Sequence, residues 1–461
     1  MFGRLGAALV ALLSTSAFAQ TPELDLEGDD EGVALVAEEP APDPDPVGEP
    51  VEDERSDWWL RWGVGEDPPA PAFAQGELPE PYEWFVIPLV GFSSDIGFAG
   101  AILGQLFHYD DDYAPFRDKL QLIALLSTEL VQFYEMVYER VGVFGLPLRV
   151  ELAASFTATR VGHYCGLGNE VRCDRRVAQT EANRVGLFPG DDGYGAFLES
   201  YYRFRVMRPG GRVGLRWRPW GGGPELTLGW TGSYTFSGYV GVSGPFAGSL
   251  YARDFPGGEE GFLSQVQLGV IKDRRDHERR PARGYLLTAS VRGAGSAVGS
   301  EWRFFGVNLA AAGYLPLTQN HRLVWVSRVI VDLLFGDTPT VVMGSLGGFG
   351  NDIAFGGQVI GRGIRQRRYI GRIKLIGQGE LRWTVFGRDG KFQGLLGAFG
   401  DLGWIGVDYD DWGGDLGRIL PSFGAFAGIY WGQSFVLRFD VGLSAFEDYD
   451  PQFYLSLRHP F

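Results

Sequence analysis

The sequence predicts an all-β chain: a transmembrane antiparallel β-barrel preceded by a disordered, acidic, Pro-rich segment. Three observations carry that expectation: an export signal at the N-terminus, a long tract of strands with period-two alternation, and a final strand ending on an aromatic residue. The export signal begins with Arg4, continues through an apolar run from Leu5 to Leu13 and ends in Ala17-Phe18-Ala19, a basic n-region, a short h-region and an A-x-A site. The run falls well short of the ~20 residues a spanning helix needs, so residues 1–19 read as a signal peptide cut after Ala19. No later stretch is apolar over that length, so strands rather than helices must do any crossing.

Charge locates the next segment. The formal net charge is -16, yet residues 20–83 hold 20 acidic side chains against only Arg55 and Arg61. The excess therefore lies there, and residues 84–461 come out near neutral. Stretches such as Glu38-Glu39-Pro40-Ala41-Pro42-Asp43-Pro44 cannot bury enough apolar surface to offset their ordering entropy, so disorder is expected. A solvated spacer is the plain reading. Trp58-Trp59-Leu60-Arg61-Trp62 is its one sticky island, suited to the membrane surface or to plugging the barrel. No basic stripe is interleaved with aromatics, which argues against nucleic acid as a partner.

From residue 84 to 461 the pattern has period two. In Ser434 to Phe446, Phe435, Leu437, Phe439, Val441 and Leu443 share one face, and Val436, Arg438, Asp440, Gly442 and Ser444 the other. Leu323 to Phe335 repeats this, with Leu323, Trp325, Val329, Val331, Leu333 and Phe335 opposite Arg328 and Asp332. Side chains alternate across a strand, so one face can meet lipid while the other holds charge in a lumen. A soluble sandwich would turn the greasy face inward instead. Membrane crossing is favoured because many strands reach the roughly 9–11 residues a tilted crossing needs. Tyr82, Trp84, Trp404, Tyr430 and Trp431 near strand ends suit interfacial girdles. The mean hydropathy of -0.05 is what such alternation gives. The ending Phe453-x-Leu455-x-Leu457-x-His459-x-Phe461 is similar to the C-terminal signal that outer-membrane assembly machinery reads. That machinery is thus an expected partner for the chain's own insertion, and the bacterial outer membrane the expected location.

Two segments narrow the family. Val270-Ile271-Lys272-Asp273-Arg274-Arg275-Asp276, followed by Pro281-Ala282-Arg283-Gly284-Tyr285, resembles the D-x-R-D … P-x-x-G hairpin of the bacterial surface antigen superfamily, the BamA/TamA group. The hairpin residues carried over are Asp273, Arg275, Asp276, Pro281 and Gly284. Gly347-Gly348-Phe349-Gly350, running on to Ile360-Gly361-Arg362-Gly363-Ile364, resembles the family's glycine-rich sixth loop with its V-R-G-F/Y motif. Here Gly361 and Ile364 depart from that motif, while Arg362 and Gly363 match. Gly377-Gln378-Gly379-Glu380 resembles the G-x-x-E of the next strand, and Phe399-Gly400-Asp401 the F-x-D of the one after. Pro88 to Ala101 is like the first-strand segment, and His163 to Asn169 is similar to a Y-G-I-G-N stretch.

The resemblance covers residues 84–461 and implies about sixteen strands. A direct pass along the chain finds that many or one more, with 84–92 and 197–238 ambiguous. It also implies a latch in which Arg362, beside Gly363, reaches back to Glu380 and Asp401. Residue chemistry agrees: both acids interrupt apolar strands, and a lumenal carboxylate wants a cation whose planar fork fits it. The segment before residue 84 is too polar and Pro-rich to fold as the POTRA domains of those relatives, so a barrel without them is expected.

Chemistry of other kinds finds no footing. There is no G-x-x-x-x-G-K-S/T loop and no G-x-S-x-G elbow. The five histidines stand singly, without metal-ligand spacing. No catalytic residue, metal or cofactor is expected, and Asp273 to Asp276 reads as a salt-linked turn. Cys165 and Cys173, eight positions apart in an oxidising compartment, are expected to form a disulfide pinning a loop. The leading functional expectation is a barrel assisting insertion or translocation of a protein or lipid, with a client as partner alongside the bilayer. The alternative is a passive pore or structural barrel.

Overall fold

Alternation of side chains gives every strand two chemically different faces. In a computed structural model of the chain, sixteen such strands follow one another in sequence order in one antiparallel sheet. The structure describes residues 81–461 apart from 94, 111–112, 170–172, 221–222, 240–247, 278–279, 349–354, 388–391, 411–418, 432–434, 457–458 and 461. The expected signal peptide and residues 20–80 of the acidic segment therefore lie outside the described residues, while Tyr82 and Glu83, at the end of that segment, already belong to the first strand.

The strands are β1 Tyr82–Ser93, β2 Gly97–Asp110, β3 Tyr113–Ser127, β4 Gln132–Val141, β5 Leu148–His163, β6 Arg203–Trp217, β7 Glu225–Tyr239 and β8 Glu260–Asp273. They continue as β9 Gly284–Ala294, β10 Phe304–Pro316, β11 Leu323–Gly336, β12 Ile373–Gly387, β13 Phe392–Gly406, β14 Leu420–Trp431, β15 Phe435–Leu443 and β16 Gln452–Ser456. Each pairs with the next. Among the described residues no ladder joins β1 to β16. The two edges nevertheless lie side by side, since a Cβ at Gly91 would sit 3.8 Å from Leu455 Cδ2. The barrel is nearly closed.

Its polarity is inverted relative to a soluble fold. Every one of the sixteen strands leaves a large apolar side chain exposed on its outer face, from Trp84, 72% exposed, through Val329, 57%, to Leu455, 37%. Arg328, Asp332, Glu380, Asp401, Arg438 and Asp440 lie on the inner face, five of them buried. Burial requires partners for such groups, whereas the outer face needs a solvent as apolar as itself. No described helix is long and apolar enough to cross a membrane.

An even strand count brings the chain in and out at one rim. Connections at that rim are short, whereas the opposite rim carries the long loops 164–202, 240–259 and 337–372. The β5–β6 loop holds α1 Arg175–Arg184, N-capped by Asp174, and α2 Tyr194–Ser200; β7–β8 holds α3 Leu250–Asp254, capped by Ser249; β11–β12 holds α4 Thr340–Met343. Their buried faces meet in one apolar cluster including Ala182, Phe197, Tyr251 and Val341, which roofs that end of the barrel. Cys165 and Cys173 are joined at its base, with Cα atoms 5.1 Å apart. Removing the link with Cys165→Ser plus Cys173→Ser should cost the loop roughly 2 kcal/mol or more of constraint. Limited proteolysis should then cut within 164–202 sooner, while the unboiled barrel keeps its gel mobility.

Three readings of strand ends need correction. Tyr430 faces the lumen, not a membrane interface, because the β14 register sets it on the same face as Phe426 and Ser422. Trp404 lies on the outer face but is covered at the loop-bearing rim. The final strand is described over Gln452–Ser456, and Leu457 and Phe461, members of the expected C-terminal signal, lie outside the described residues. Phe453 and Leu455 face outward beside Val441 and Phe439. Strand parity would put His459 outward too, yet it is buried inside the lumen, 2.7 Å from the Tyr430 hydroxyl.

Candidate functional site

Loop 337–372 enters the lumen because its own apolar side chains have somewhere to go. Phe355, Ile360, Ile364 and Tyr369 pack against Ile330, Ile376, Ile405 and Leu420 on the inner faces of β11 to β14. At the tip, Gly361 and Gly363 adopt φ of +66° and +108°, the left-handed region that only glycine enters freely. Gly363 presses on β15 so closely that a Cβ there would stand 2.5 Å from the Leu443 nitrogen. A Cβ on the facing Gly442 would stand 2.5 Å from Gly363 nitrogen. Two glycines thus permit a backbone-to-backbone approach, and Arg362 between them is aimed at the barrel wall.

Arg362 is fully buried. Its Nε and Nη2 donate to the two Asp401 oxygens at 2.9 and 2.7 Å, its backbone N–H donates to Asp401 at 3.0 Å, and Nη1 donates to Glu380. The guanidinium lies 3.8 Å from the Phe399 ring centroid, so both side-chain members of the Phe399-Gly400-Asp401 motif touch it. Glu380 also accepts from Arg382 at 2.8 Å and from Arg438 at 2.8 and 3.0 Å. Arg438 in turn grips Asp440 at 2.6–3.0 Å and stacks 3.5 Å over Phe426. Three arginines face three carboxylates, so this buried centre is charge-balanced, the condition under which charge can leave water without a large penalty. Beneath it, Arg438 Nη1 lies 3.4 Å from His459 Nδ1. The tautomer that accepts there carries its proton on Nε2 and donates to Tyr430.

A second buried centre holds the root of the loop. Asp332 accepts from Arg292 at 2.9 and 3.1 Å, Lys374 at 2.8 Å, Asn308 at 3.1 Å and the Gly347 N–H at 3.0 Å. The loop also touches both sides of the open seam. Gln366 N–H donates to Asp95 in the β1–β2 turn at 2.8 Å, and Arg365 N–H donates to Glu447 in the β15–β16 turn at 3.2 Å. The Tyr454 hydroxyl of β16 donates to Ile364 oxygen at 3.3 Å. Burial pushes the Asp95 carboxyl up to about 6, the Gln366 N–H opposing it.

The hairpin residues lie apart from this centre, in the β8–β9 turn of the short-turn rim. Arg275 pairs with Asp273 at 2.6 Å, Asp276 accepts from Ala282 N–H at 3.0 Å, and Gly284 takes φ +106° where a Cβ would strike Arg274 oxygen. Pro281 is buried beside them. From the same turn Arg280 crosses the lumen to Gln393 at 3.2 Å and sits 5.3 Å from the Tyr430 ring. On the loop-bearing rim, Asn169 of the His163–Asn169 segment accepts from Ile405 N–H at 2.9 Å. Sequence reasoning placed Arg438 and Asp440 on the inner face but not in the centre, and missed Arg382, Arg292, Lys374 and the Gly363–Gly442 contact.

Comparison with known proteins bears on these features. The sequence model described as the Omp85 superfamily domain matches residues 193–450. No curated protein matches the chain. Among solved structures, BamA from Haemophilus ducreyi lacking POTRA domains 1–3 is 14% identical, with a TM-score of 0.51 over 82% of this chain and 71% of that one. CdiB from Escherichia coli is 16% identical, with a TM-score of 0.49 over 80% of this chain and 60% of that one. The first supports the barrel fold alone, while the domain match spans over half of the chain and takes in the loop tip, Glu380, Asp401 and Arg438. The chain belongs to the Omp85 superfamily.

Proposed function

We propose that this protein is an outer-membrane barrel that assists insertion or translocation of a protein or lipid through the seam between β1 and β16. The observation that carries this reading is the seam itself. Every other neighbouring pair of strands is laddered, whereas among the described residues these edges are not, and β16 is described over five residues. An unpaired strand edge is a template on which an extended client segment can add by main-chain hydrogen bonds. Opened, the same seam would give lipid a path between bilayer and lumen. The loop contacts to Asp95, Glu447 and Tyr454 bridge the seam at the loop-bearing rim, so the latched loop is its clasp. On this reading the short-turn rim faces the periplasm, the outer band of exposed apolar side chains meets the bilayer, and the assembly machinery inserts the chain. The protein acts by presenting an edge and perturbing lipid, without covalent chemistry. A loop whose described residues are held inside the lumen by apolar packing and two buried ion networks argues against a wide passive pore.

The test is a clamp. With Gly91→Cys and Leu455→Cys, a short bifunctional thiol reagent should bridge the seam while Cys165 and Cys173 remain in their own bond. In a host depleted of the native protein, the unbridged variant should restore the outer-membrane proteome and lipid balance. The bridged form should not. Equal restoration by both forms would sink the seam mechanism. Steady ion conductance unaltered by the clamp would then favour the passive pore.

A further inference from the structure

Alternation breaks down on the stretch of wall beside the seam. β1 turns Trp84, Val86 and Val90 outward, and the residues between them, Phe85, Ile87 and Leu89, are apolar too. Side chains alternate across a strand, so these three face the lumen. Register extends the patch over the next strands. Ile87 lies opposite Leu103 of β2, which lies opposite Ile123 of β3, and Leu125 stands one row further on. Leu125 in turn faces Phe133 of β4. A run apolar on both faces is what a strand shows when both faces are covered, which is also why residues 84–92 are ambiguous in the sequence.

Among the described residues nothing apolar covers the inner face. Phe85, Ile87, Leu89, Leu103, Ile123 and Leu125 are only half-buried, and none belongs to an apolar cluster or packs against one. Loop 337–372 sets its apolar side chains on β11 to β14 instead. Across the seam the wall is polar, since β15 and β16 turn Arg438, Asp440, Gln452 and Tyr454 inward. The patch is a greasy trough in a polar lumen, and contiguous apolar surface left open marks a binding site.

We propose that this inner wall of β1 to β3 holds an acyl chain of a membrane lipid, a substrate assignment that rests on the seam reading above. Two arguments select a lipid. An extended peptide laid on the trough would bring N–H and C=O groups to side chains that can satisfy neither, whereas an acyl chain carries none. The trough is also continuous with the bilayer side. β1 is apolar on both faces and its free edge is the seam edge, so a chain rounding that edge never leaves apolar surroundings. Size agrees: Phe85 to Leu89 is four steps of about 3.3 Å, about 13 Å, against the ~15 Å that one leaflet of a ~30 Å core gives its chains. Toward the short-turn rim the trough ends on Gln105 and Gln121, hydrogen-bonded to each other, and on Lys119, paired with Glu139 at 3.1 Å. A polar headgroup finds polar company there.

A photoreactive side chain close to Phe in shape tests the trough from inside. The purified full-length barrel with Phe133→benzoylphenylalanine, in vesicles of phosphatidylethanolamine and phosphatidylglycerol, should gain the mass of a phospholipid at position 133 on illumination. Adding Leu103→Gln and Ile123→Gln should cut that capture about tenfold, polar residues being at home on a lumenal face. Capture by the outward-facing Tyr134→benzoylphenylalanine should stay as it was. Gel mobility before boiling checks that each variant is folded. Should the double glutamine variant not fold, Ile123→Thr alone decides, less capture supporting the site and equal capture overturning it. Absence of an adduct at position 133, or capture of another segment of this chain or of a client polypeptide in host membranes instead of lipid, would overturn it too. The seam reading fails separately. If bridging Gly91→Cys to Leu455→Cys abolishes restoration while position 133 captures no lipid, the site falls and the seam stands. If lipid is captured and bridging changes nothing, the seam falls and the site stands.

Discussion

Arg362→Ala is expected to free the tip of loop 337–372 and to lower barrel stability by about 3–5 kcal/mol, the range for removing one partner of a buried ion pair. The loss should fall unevenly. Glu380 would still accept from Arg382 and Arg438, but Asp401 would lose both side-chain bonds and keep Gln378 at 3.2 Å as its one remaining side-chain donor among those seen. The cost is then chiefly that of a stranded Asp401. Adding Asp401→Ala should recover part of it, a non-additivity that only contacting residues show. Arg362→Lys keeps the charge without the fork, and cannot meet Asp401 with two bonds while also reaching Glu380. It should fall between the wild type and Arg362→Ala. Urea unfolding followed by Trp fluorescence in lipid vesicles measures the stability, and protease access to the loop reports the latch. An Arg362→Ala barrel that unfolds with the wild type and protects its loop equally would show that the buried contacts add nothing. Because the same loop bridges the seam, the variant should also bridge more slowly with the thiol reagent across Gly91→Cys and Leu455→Cys.

How much of this was readable beforehand differs by residue. Glu380 and Asp401 stood out because a charge inside an alternating strand must face a lumen, and Arg362 because flanking glycines leave it no core to belong to. Arg438 and Asp440 were visible as neighbours on one face of β15, since alternation orders residues along a strand. It says nothing of what faces them across a barrel, and Glu380 is on β12. Gly442 looked like any small lumenal residue. Its necessity exists only once Gly363 lies against it, a contact between a loop and a wall far apart in sequence. Tyr430 was misplaced because an aromatic near a strand end fits an interface and a lumen alike, and only register distinguishes them. The lumenal place of His459 was hidden for the same reason: in the sequence Phe453, Leu455 and Leu457 keep an alternation that would set His459 outward, and only the fold brings it to Tyr430 and Arg438.

Asp332→Ala should be at least as damaging as Arg362→Ala, and for a different reason. Asp332 is fully buried and, among the described residues, is the acid contacted by both Arg292 and Lys374, so its removal leaves two buried cations facing each other rather than one stranded anion. A loss of about 3–5 kcal/mol or more is expected. Asn308 and the Gly347 N–H would lose their acceptor as well, releasing the root of the loop while Arg362 still holds its tip. Protease sensitivity should therefore rise near Gly347 and not near Gly363, the reverse of Arg362→Ala. Asp332→Asn retains an acceptor for Gly347 but no charge, so it separates positioning from neutralisation. Removing one cation too, as Asp332→Asn with Lys374→Met, should restore stability if charge matching is what the centre supplies. Failure to restore it, with the root still sensitive, would assign the worth of Asp332 to the bonds that hold Gly347. The loop would then be anchored by geometry at its root and by charge at its tip.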